Sequence, residues 1–292
     1  MITIENLSKV YEKKDIFGQT LSKVTALNDV NLEIRQGETL GLVGESGSGK
    51  STLGNIILGL ESPTSGQVLY EGQEIDAALR REIQKGLKFQ PIFQDPYSAM
   101  NPNRSALEIV AEPLTLTYST TEAKQLAGKM LDDVGILPAD FNKRPHEFSG
   151  GQRQRIVIAR SIVTDPQFVV CDEPVSALDV SIQAQIINLL MDLQKEKELT
   201  YLFISHDLAM VRSISQRIAV MYLGNIVELA DTEDIFNYPQ HPYTRKLLEA
   251  IPLPDPREAR LRQANKEHRI PAEITIGTRW EEVRPNHWVL QN

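Results

Sequence analysis

One stretch, Gly44-Glu45-Ser46-Gly47-Ser48-Gly49-Lys50-Ser51, constrains what this chain can fold into more than any other. It follows the apolar run Thr39-Leu40-Gly41-Leu42-Val43 and precedes Leu53, Ile56, Ile57 and Leu60, which recur at helical spacing. A buried strand turning through glycines into an amphipathic helix predicts a parallel α/β sheet rather than a helical bundle. The glycines allow backbone N–H groups to turn inward, and the helix N-terminus adds partial positive charge, so the loop suits phosphate oxygens. The stretch matches the P-loop pattern at every fixed position. Gly44, Ser46, Gly47, Ser48, Gly49, Lys50, Ser51 and Thr52 are therefore the candidate phosphate cradle. Lys50 is expected to reach the β- and γ-phosphates and Ser51 to ligate Mg²⁺ through its hydroxyl.

A second apolar run, Phe168-Val169-Val170-Cys171, ends in Asp172-Glu173. A short continuous apolar run predicts a central parallel strand. Such a strand delivers Asp172 to its C-terminal end beside the phosphates, where it can hold the metal's water shell. Glu173, one residue on, is placed to polarise an attacking water.

Elsewhere the pattern predicts further elements of the same sheet and a helical stretch between its strands. Ile2, Ile4 and Leu7 alternate, then a polar stretch runs from Glu12 to Lys23, and alternation resumes at Val30, Leu32 and Ile34. Ser119-Thr120-Thr121-Glu122 is a capping-box pattern ahead of Leu126, Ala127, Met130, Leu131 and Val134, with Gly135 as the stop. Apolar-faced helices are expected from about Ile156 to Val163 and around Ile182, Ile186, Ile187, Leu190 and Leu193. Tyr201-Leu202-Phe203-Ile204 reads as a buried strand, and Gly224-Asn225 reads as the turn of a hairpin. From about Asp234 onward, prolines at 239, 242, 252, 254, 256 and 271 predict a loosely structured extension. Trp280 to Trp288, with Val283 and Val289, is expected to form either a terminal strand or hairpin, or a frayed tail.

Composition narrows the function classes. With 31 Lys+Arg against 39 Asp+Glu the chain offers no basic footprint for nucleic acid. Its single cysteine, Cys171, permits neither a disulfide framework nor a thiolate metal cage within the chain. The start Met1-Ile2-Thr3-Ile4-Glu5 lacks the basic-then-apolar pattern of a secretory signal, and no apolar run approaches the roughly 18 residues of a spanning helix. A soluble protein is expected, with any membrane role exercised through a partner. Histidines 146, 241, 268 and 287 show no metal-ligand spacing and receive no role.

Phe148-Ser149-Gly150-Gly151-Gln152 resembles the L-S-G-G-Q signature of ABC ATPases, with Phe for the usual Leu. The resemblance implies ATP as the nucleotide, and implies that Ser149, Gly151 and Gln152 cap the γ-phosphate of an ATP held by a partner subunit, with two ATPs sandwiched head to tail. Other positions match in the family's order. Gln94 in Phe93-Gln94-Asp95-Pro96 matches the glutamine that senses the metal and the transmembrane partner. Asp179 in Ser176-Ala177-Leu178-Asp179 matches the loop that crosses the dimer interface. His206 in Ser205-His206-Asp207 matches the histidine near the γ-phosphate. Tyr11 matches the adenine-stacking aromatic, with Phe17 as a substitute candidate and an edge-strand tyrosine as the bland alternative.

The run Cys171 to Gln185, Met221-Tyr222-Leu223-Gly224 and His241-Pro242-Tyr243-Thr244-Arg245 look like the oligopeptide, dipeptide and nickel importer ATPases, most like the second member of their heterodimeric pair. The resemblance covers almost the whole chain. It implies an α/β P-loop NTPase (RecA-like) core with an antiparallel β subdomain, an inserted α-helical subdomain and a short C-terminal extension. The expected limits are 1–94 and 166–233 for the core, 95–165 for the insertion and 234–292 for the extension. It further implies ATP hydrolysis that powers import of peptides or nickel, a second homologous ATPase subunit, two transmembrane permease subunits, an extracytoplasmic binding protein acting indirectly, and a peripheral place on the cytoplasmic face of the cell membrane. Several relatives carry a cysteine cluster in the C-terminal extension; this chain has none there, so no iron–sulfur site is expected. Two alternatives stand beside this: an ABC ATPase acting on nucleic acid or ribosomes, and an ATPase subunit of a soluble assembly such as carbon–phosphorus lyase.

Overall fold

The computed structural model describes residues 1–14, 20–75, 77–84, 88–250 and 274–291. Phe17, and the prolines at 252, 254, 256 and 271, lie outside the described residues.

The elements in chain order are β1 (Ile2–Lys14), β2 (Thr20–Ile34), β3 (Thr39–Val43), α1 (Lys50–Ile57), β4 (Ser65–Tyr70), β5 (Gln73–Glu74), α2 (Ala77–Gln84) and β6 (Phe89–Ile92). The helices α3 (Ala106–Ala111), α4 (Thr120–Asp133) and α5 (Gly150–Ile162) follow, joined by short 3₁₀ turns. Then come β7 (Phe168–Asp172), α6 (Val180–Lys197), β8 (Thr200–Ser205), α7 (Leu208–Ile214), β9 (Arg217–Tyr222) and β10 (Asn225–Asp231). The chain closes with α8 (Thr232–Asn237), α9 (Pro242–Glu249), β11 (Arg279–Arg284) and β12 (His287–Gln291).

Two sheets result. Strands β2-β1-β4-β5 form an antiparallel sheet, and an eight-stranded sheet has the order β11-β12-β10-β9-β3-β8-β7-β6. In the larger sheet β6, β7, β8, β3 and β9 run parallel, and β10 and then β12 pair antiparallel beyond them. The parallel strands are buried on both faces, which explains their continuous apolar runs. Their alternate residues feed two cores. Leu40, Leu42, Phe168, Val170, Leu202 and Ile204 pack with α1 and the antiparallel sheet. Val43, Val169, Cys171, Tyr201 and Phe203 pack with α5 and α6 on the other side. An edge-to-face ladder, Tyr70 on Phe89 at 5.1 Å and Phe89 on Phe168 at 5.2 Å, joins the two sheets.

The sequence-predicted strands Thr39–Val43, Phe168–Cys171 and Tyr201–Ile204 are all present, as is the hairpin at Gly224-Asn225. Ser119 caps α4 in a reciprocal box with Glu122, and Gly135 follows the helix with φ +80°. Four expectations are revised. The described part of the polar stretch is strand on both sides: Glu12 pairs with Lys23 and Lys14 with Thr20, because an antiparallel ribbon open to solvent needs no apolar face. Leu60 lies past the end of α1 and is exposed, since the helix stops at Ile57. Leu126 is exposed on α4 while Ala127, Met130 and Leu131 are buried. The described part of the tail is ordered, not loose. α8 straddles position 234, α9 follows, and the Trp280 to Trp288 segment is a hairpin whose β12 extends the main sheet. Pro242 misled because it opens α9 at its first turn, where a missing N–H costs nothing.

Candidate active site

The strand order places the site. β3 lies between β8 and β9, with β7 beyond β8 and β6 beyond β7, so their C-terminal ends converge. The loop after β3 is the glycine-rich stretch; β7 ends in Asp172-Glu173, β8 is followed by His206, and β6 leads to Gln94. In open parallel sheets this edge is where ligands bind.

The loop itself is held from behind. The Gly224 N–H donates to the Ser48 carbonyl at 2.9 Å, and the Asn28 N–H donates to the Gly224 carbonyl at 2.9 Å. Gly49 has φ +110°, and a Cβ there would meet the Ala26 carbonyl oxygen at 2.3 Å, so only glycine fits. A Cβ at Gly47, by contrast, would meet nothing within 4 Å. Ser48 Oγ is buried without a partner among the described residues. An open mouth, an orphaned hydroxyl and a helix N-terminus at Lys50 together fit a polyphosphate.

Lys50 is buried and donates to the carbonyls of Gly44 at 2.8 Å and Glu45 at 3.0 Å. Burial lowers its pKa, and the charges of Glu173 and Asp172 partly oppose that shift. The Asp172 carboxyl is raised, again mainly by burial, with Glu173 adding to the shift and Ser51 and Lys50 opposing it. Each group is thus in an environment that disfavours its charge, a common property of reactive sites. Ser51, Asp172 and Gln94 present hydroxyl, carboxylate and amide oxygens, a hard donor set suited to Mg²⁺.

Glu173 is clamped. Gln94 Nε2 donates to its Oε2 at 3.1 Å, and His206 Nδ1 lies 3.1 Å from its Oε1. Its backbone N–H donates to the Ile204 carbonyl at 3.0 Å, and its φ of +47° lies in the left-handed region. A non-glycine residue there is strained unless its surroundings fix it, and such strain gathers at functional positions. Lys50, Ser51, Asp172, Glu173, Gln94 and His206 therefore form one cluster.

The signature residues form another. Ser149 caps α5 reciprocally with Gln152, so these two side chains satisfy the first free backbone groups of the helix. A Cβ at Gly151 would meet Ile182 Cγ2 at 2.6 Å, which seats the helix start on α6, and Asp179 is the residue before α6. Among the described residues, no hydrogen bond or ion pair joins Ser149, Gly151, Gln152 or Asp179 to the Lys50 cluster. The segment after Gln94 nonetheless touches this helix, through the Arg153 guanidinium 5.7 Å from the Tyr97 ring.

Tyr11 stands half-exposed on β1. Its hydroxyl donates to Glu61 Oε2 at 2.8 Å and also engages Thr52, at the start of α1, while the Lys9 ammonium lies 5.0 Å from its ring. Sequence reasoning missed two features. Tyr243 of α9 contacts the loop at Glu45, and histidines 241 and 287 surround a fully buried Glu228. The first carries no spacing signal. The second has one weak sign, a glutamate in an otherwise apolar strand.

Comparison with known proteins places these features in a family. The ABC transporter model matches residues 27–176. The oligopeptide transport ATP-binding protein OppF of Bacillus subtilis is 47% identical over 98% of this chain and 96% of its own length. This chain belongs to the ABC transporter family. It is an ATP-binding, ATP-hydrolysing member. A second model, for the C-terminal region of oligopeptide/dipeptide transporters, matches residues 227–286. AmiF of Streptococcus pneumoniae is 45% identical over 97% of this chain and 95% of its own length. Among solved structures, the dimeric ATP-binding cassette MJ0796 bound to ADP and Pi has a TM-score of 0.70 at 31% identity, covering 80% of this chain and 99% of that one. The cbiO1 cassette of Clostridium perfringens has a TM-score of 0.71 at 25% identity, covering 90% and 98%.

The lysine makes a direct prediction for this ABC ATPase. Burying the charged ammonium opposes folding, which is what the lowered pKa expresses. As pH rises through the depressed folded pKa towards the ordinary lysine value, the folded state sheds its proton first and that cost is relieved. Lys50→Met is therefore expected to leave the melting temperature without nucleotide no lower than the parent's. It is also expected to remove the rise that Mg-ATP gives, about 2.7 kcal/mol at a hundredfold excess over Kd. Differential scanning calorimetry with and without Mg-ATP checks both; a nucleotide-dependent rise that survives the substitution contradicts the assigned role.

Proposed function

We propose that this chain powers the import of peptides across a cell membrane, by ATP-driven closure against a second ATPase subunit. The observation that carries this reading is the match of residues 227–286 to the oligopeptide/dipeptide transporter C-terminal region, in a chain aligned nearly end to end with OppF. Nickel or a metal chelate is the alternative cargo. The soluble-assembly alternative has no comparable support, because the relatives named above are transport proteins.

In this reading residues 1–94 and 166–233 hold the nucleotide, 95–165 present the signature helix to the partner, and 234–292 form the C-terminal extension, whose α9 lies against the loop. Gly44 through Thr52 cradle the phosphates, Lys50 neutralises them, and Tyr11 stacks on the adenine. Ser51, Asp172 and Gln94 would hold Mg²⁺, which offsets phosphate charge when bound. Glu173 orients and deprotonates the attacking water, and His206 and Gln94 hold its carboxylate in position. Ser149, Gly151, Gln152 and Asp179 act on the ATP of the partner subunit, which agrees with their separation from the Lys50 cluster. Two permease subunits then receive the motion near Gln94, and a binding protein outside supplies cargo. No helix among the described residues is long and apolar enough to cross a membrane, so attachment would be peripheral, on the cytoplasmic face.

Affinity purification of the tagged chain from gently solubilised native membranes tests this. Two multi-spanning proteins and a second, different ATPase are the expected companions. Recovery of soluble enzymes alone would move the chain out of transport.

A further inference from the structure

The geometry points to Tyr243 as a positioning residue for ATP binding, its hydroxyl bracing the first peptide of the P-loop, between Gly44 and Glu45, from the C-terminal side. The Glu45 N–H donates to the Tyr243 hydroxyl at 2.8 Å, and the Lys246 ammonium lies 3.2 Å from Glu45 Oε1. Glu45 itself is exposed, yet Tyr243 is fully buried, so the loop rests on a fixed group rather than a mobile one.

What fixes Tyr243 is visible on every side. Its ring lies 4.2 Å from that of Tyr222, at the end of β9. Its backbone N–H donates to His241 Nδ1 at 3.2 Å, which starts α9. The His241 N–H donates to Glu228 Oε2 at 2.9 Å, and Glu228 Oε1 accepts from the Gln240 N–H at 2.8 Å and meets His287 Nε2 at 2.7 Å. Glu228 and His287 are fully buried. A continuous chain of hydrogen bonds thus runs from the β12 hairpin through β10 and the α9 cap to the peptide that begins the loop.

The physical consequence concerns the direction of one peptide unit. The Glu45 carbonyl accepts from Lys50 Nζ and from the Ser48 N–H at 3.2 Å, so this residue sets the lysine and the first turn of the loop together. In the peptide that joins Gly44 to Glu45, the N–H is held by Tyr243 and the opposed Gly44 carbonyl accepts from Lys50 Nζ at 2.8 Å, so the tyrosine fixes the orientation of a carbonyl that places the lysine. Preorganisation of this kind lowers the ordering cost of binding. The exposed Lys246–Glu45 pair contributes little beside it.

The inference rests on the P-loop reading, and the test separates the two. Tyr243→Phe in the full-length chain removes the hydroxyl and keeps the ring against Tyr222. Affinity for a fluorescent ATP analogue with Mg²⁺ is expected to fall roughly 2–10-fold, the range of one net hydrogen bond. Hydrogen–deuterium exchange is expected to quicken in peptides covering residues 44–50 and to stay unchanged in the buried β3 segment. Parental affinity overturns the inference. So does exchange that rises equally in the loop and in β3, because that marks general loosening. Lys50→Met, measured alongside, isolates the underlying reading: binding retained there rejects the P-loop assignment, whereas binding lost there with Tyr243→Phe unchanged rejects the brace alone.

Discussion

Glu173→Gln is expected to slow ATP hydrolysis by roughly 10²–10⁴-fold, the range for loss of a positioned general base. ATP affinity should stay within a few-fold of the parent. The substitution keeps the shape of the side chain and its acceptor toward Gln94, but removes the group that takes a proton. The groups proposed to hold the phosphates, Lys50 and the loop amides, are untouched. The result expected from single-turnover hydrolysis in the ATPase assembly is bound, unhydrolysed ATP. Undiminished turnover would remove Glu173 from the chemistry. Its φ of +47° strengthens the case, since a strained residue held by three partners is ordered for a task that packing alone does not require.

The largest expected loss of stability is at Glu228. It is fully buried and accepts from two backbone N–H groups while meeting His287 Nε2 at 2.7 Å. Glu228→Ala would leave three polar groups without their acceptor in a region closed to water. Removing one partner of a buried, hydrogen-bonded pair in this way costs about 3–5 kcal/mol. Thermal unfolding should therefore begin on the order of 10 °C lower, given about 2–4 °C per kcal/mol in chains near this size. Limited proteolysis should cut the region around α9 and the β11–β12 hairpin first, because Glu228 links β10 to both. A melting temperature within 2 °C or so of the parent would mean that water replaces these partners at little cost.

These two residues mark the limit of what is legible in a sequence. Glu173 was legible because the chemistry demands an acidic residue just past an apolar strand, and that strand announces itself by its uninterrupted run from Phe168 to Cys171. Lys50, Ser51 and the glycines were legible for the same reason: backbone conformation and local order dictate them. The helix start at Ser119 was readable from four adjacent residues. The strand order was not written locally, yet it is what brings Gln94 and His206 each to 3.1 Å from Glu173, across 79 and 33 positions of chain.

The sequence by itself determined the α/β class, the glycine-rich loop between β3 and α1 and the acidic pair at the end of β7, because each depends on neighbours within about ten residues. Only the tertiary structure decided that polar residues 12–14 pair as strand with residues 20–23, and that the described part of the tail contributes two helices and a hairpin. It also decided that Tyr243 reaches back to Glu45, 198 positions away. Such contacts are set by which surfaces remain uncovered once the sheet has formed, and no periodicity in the chain encodes them.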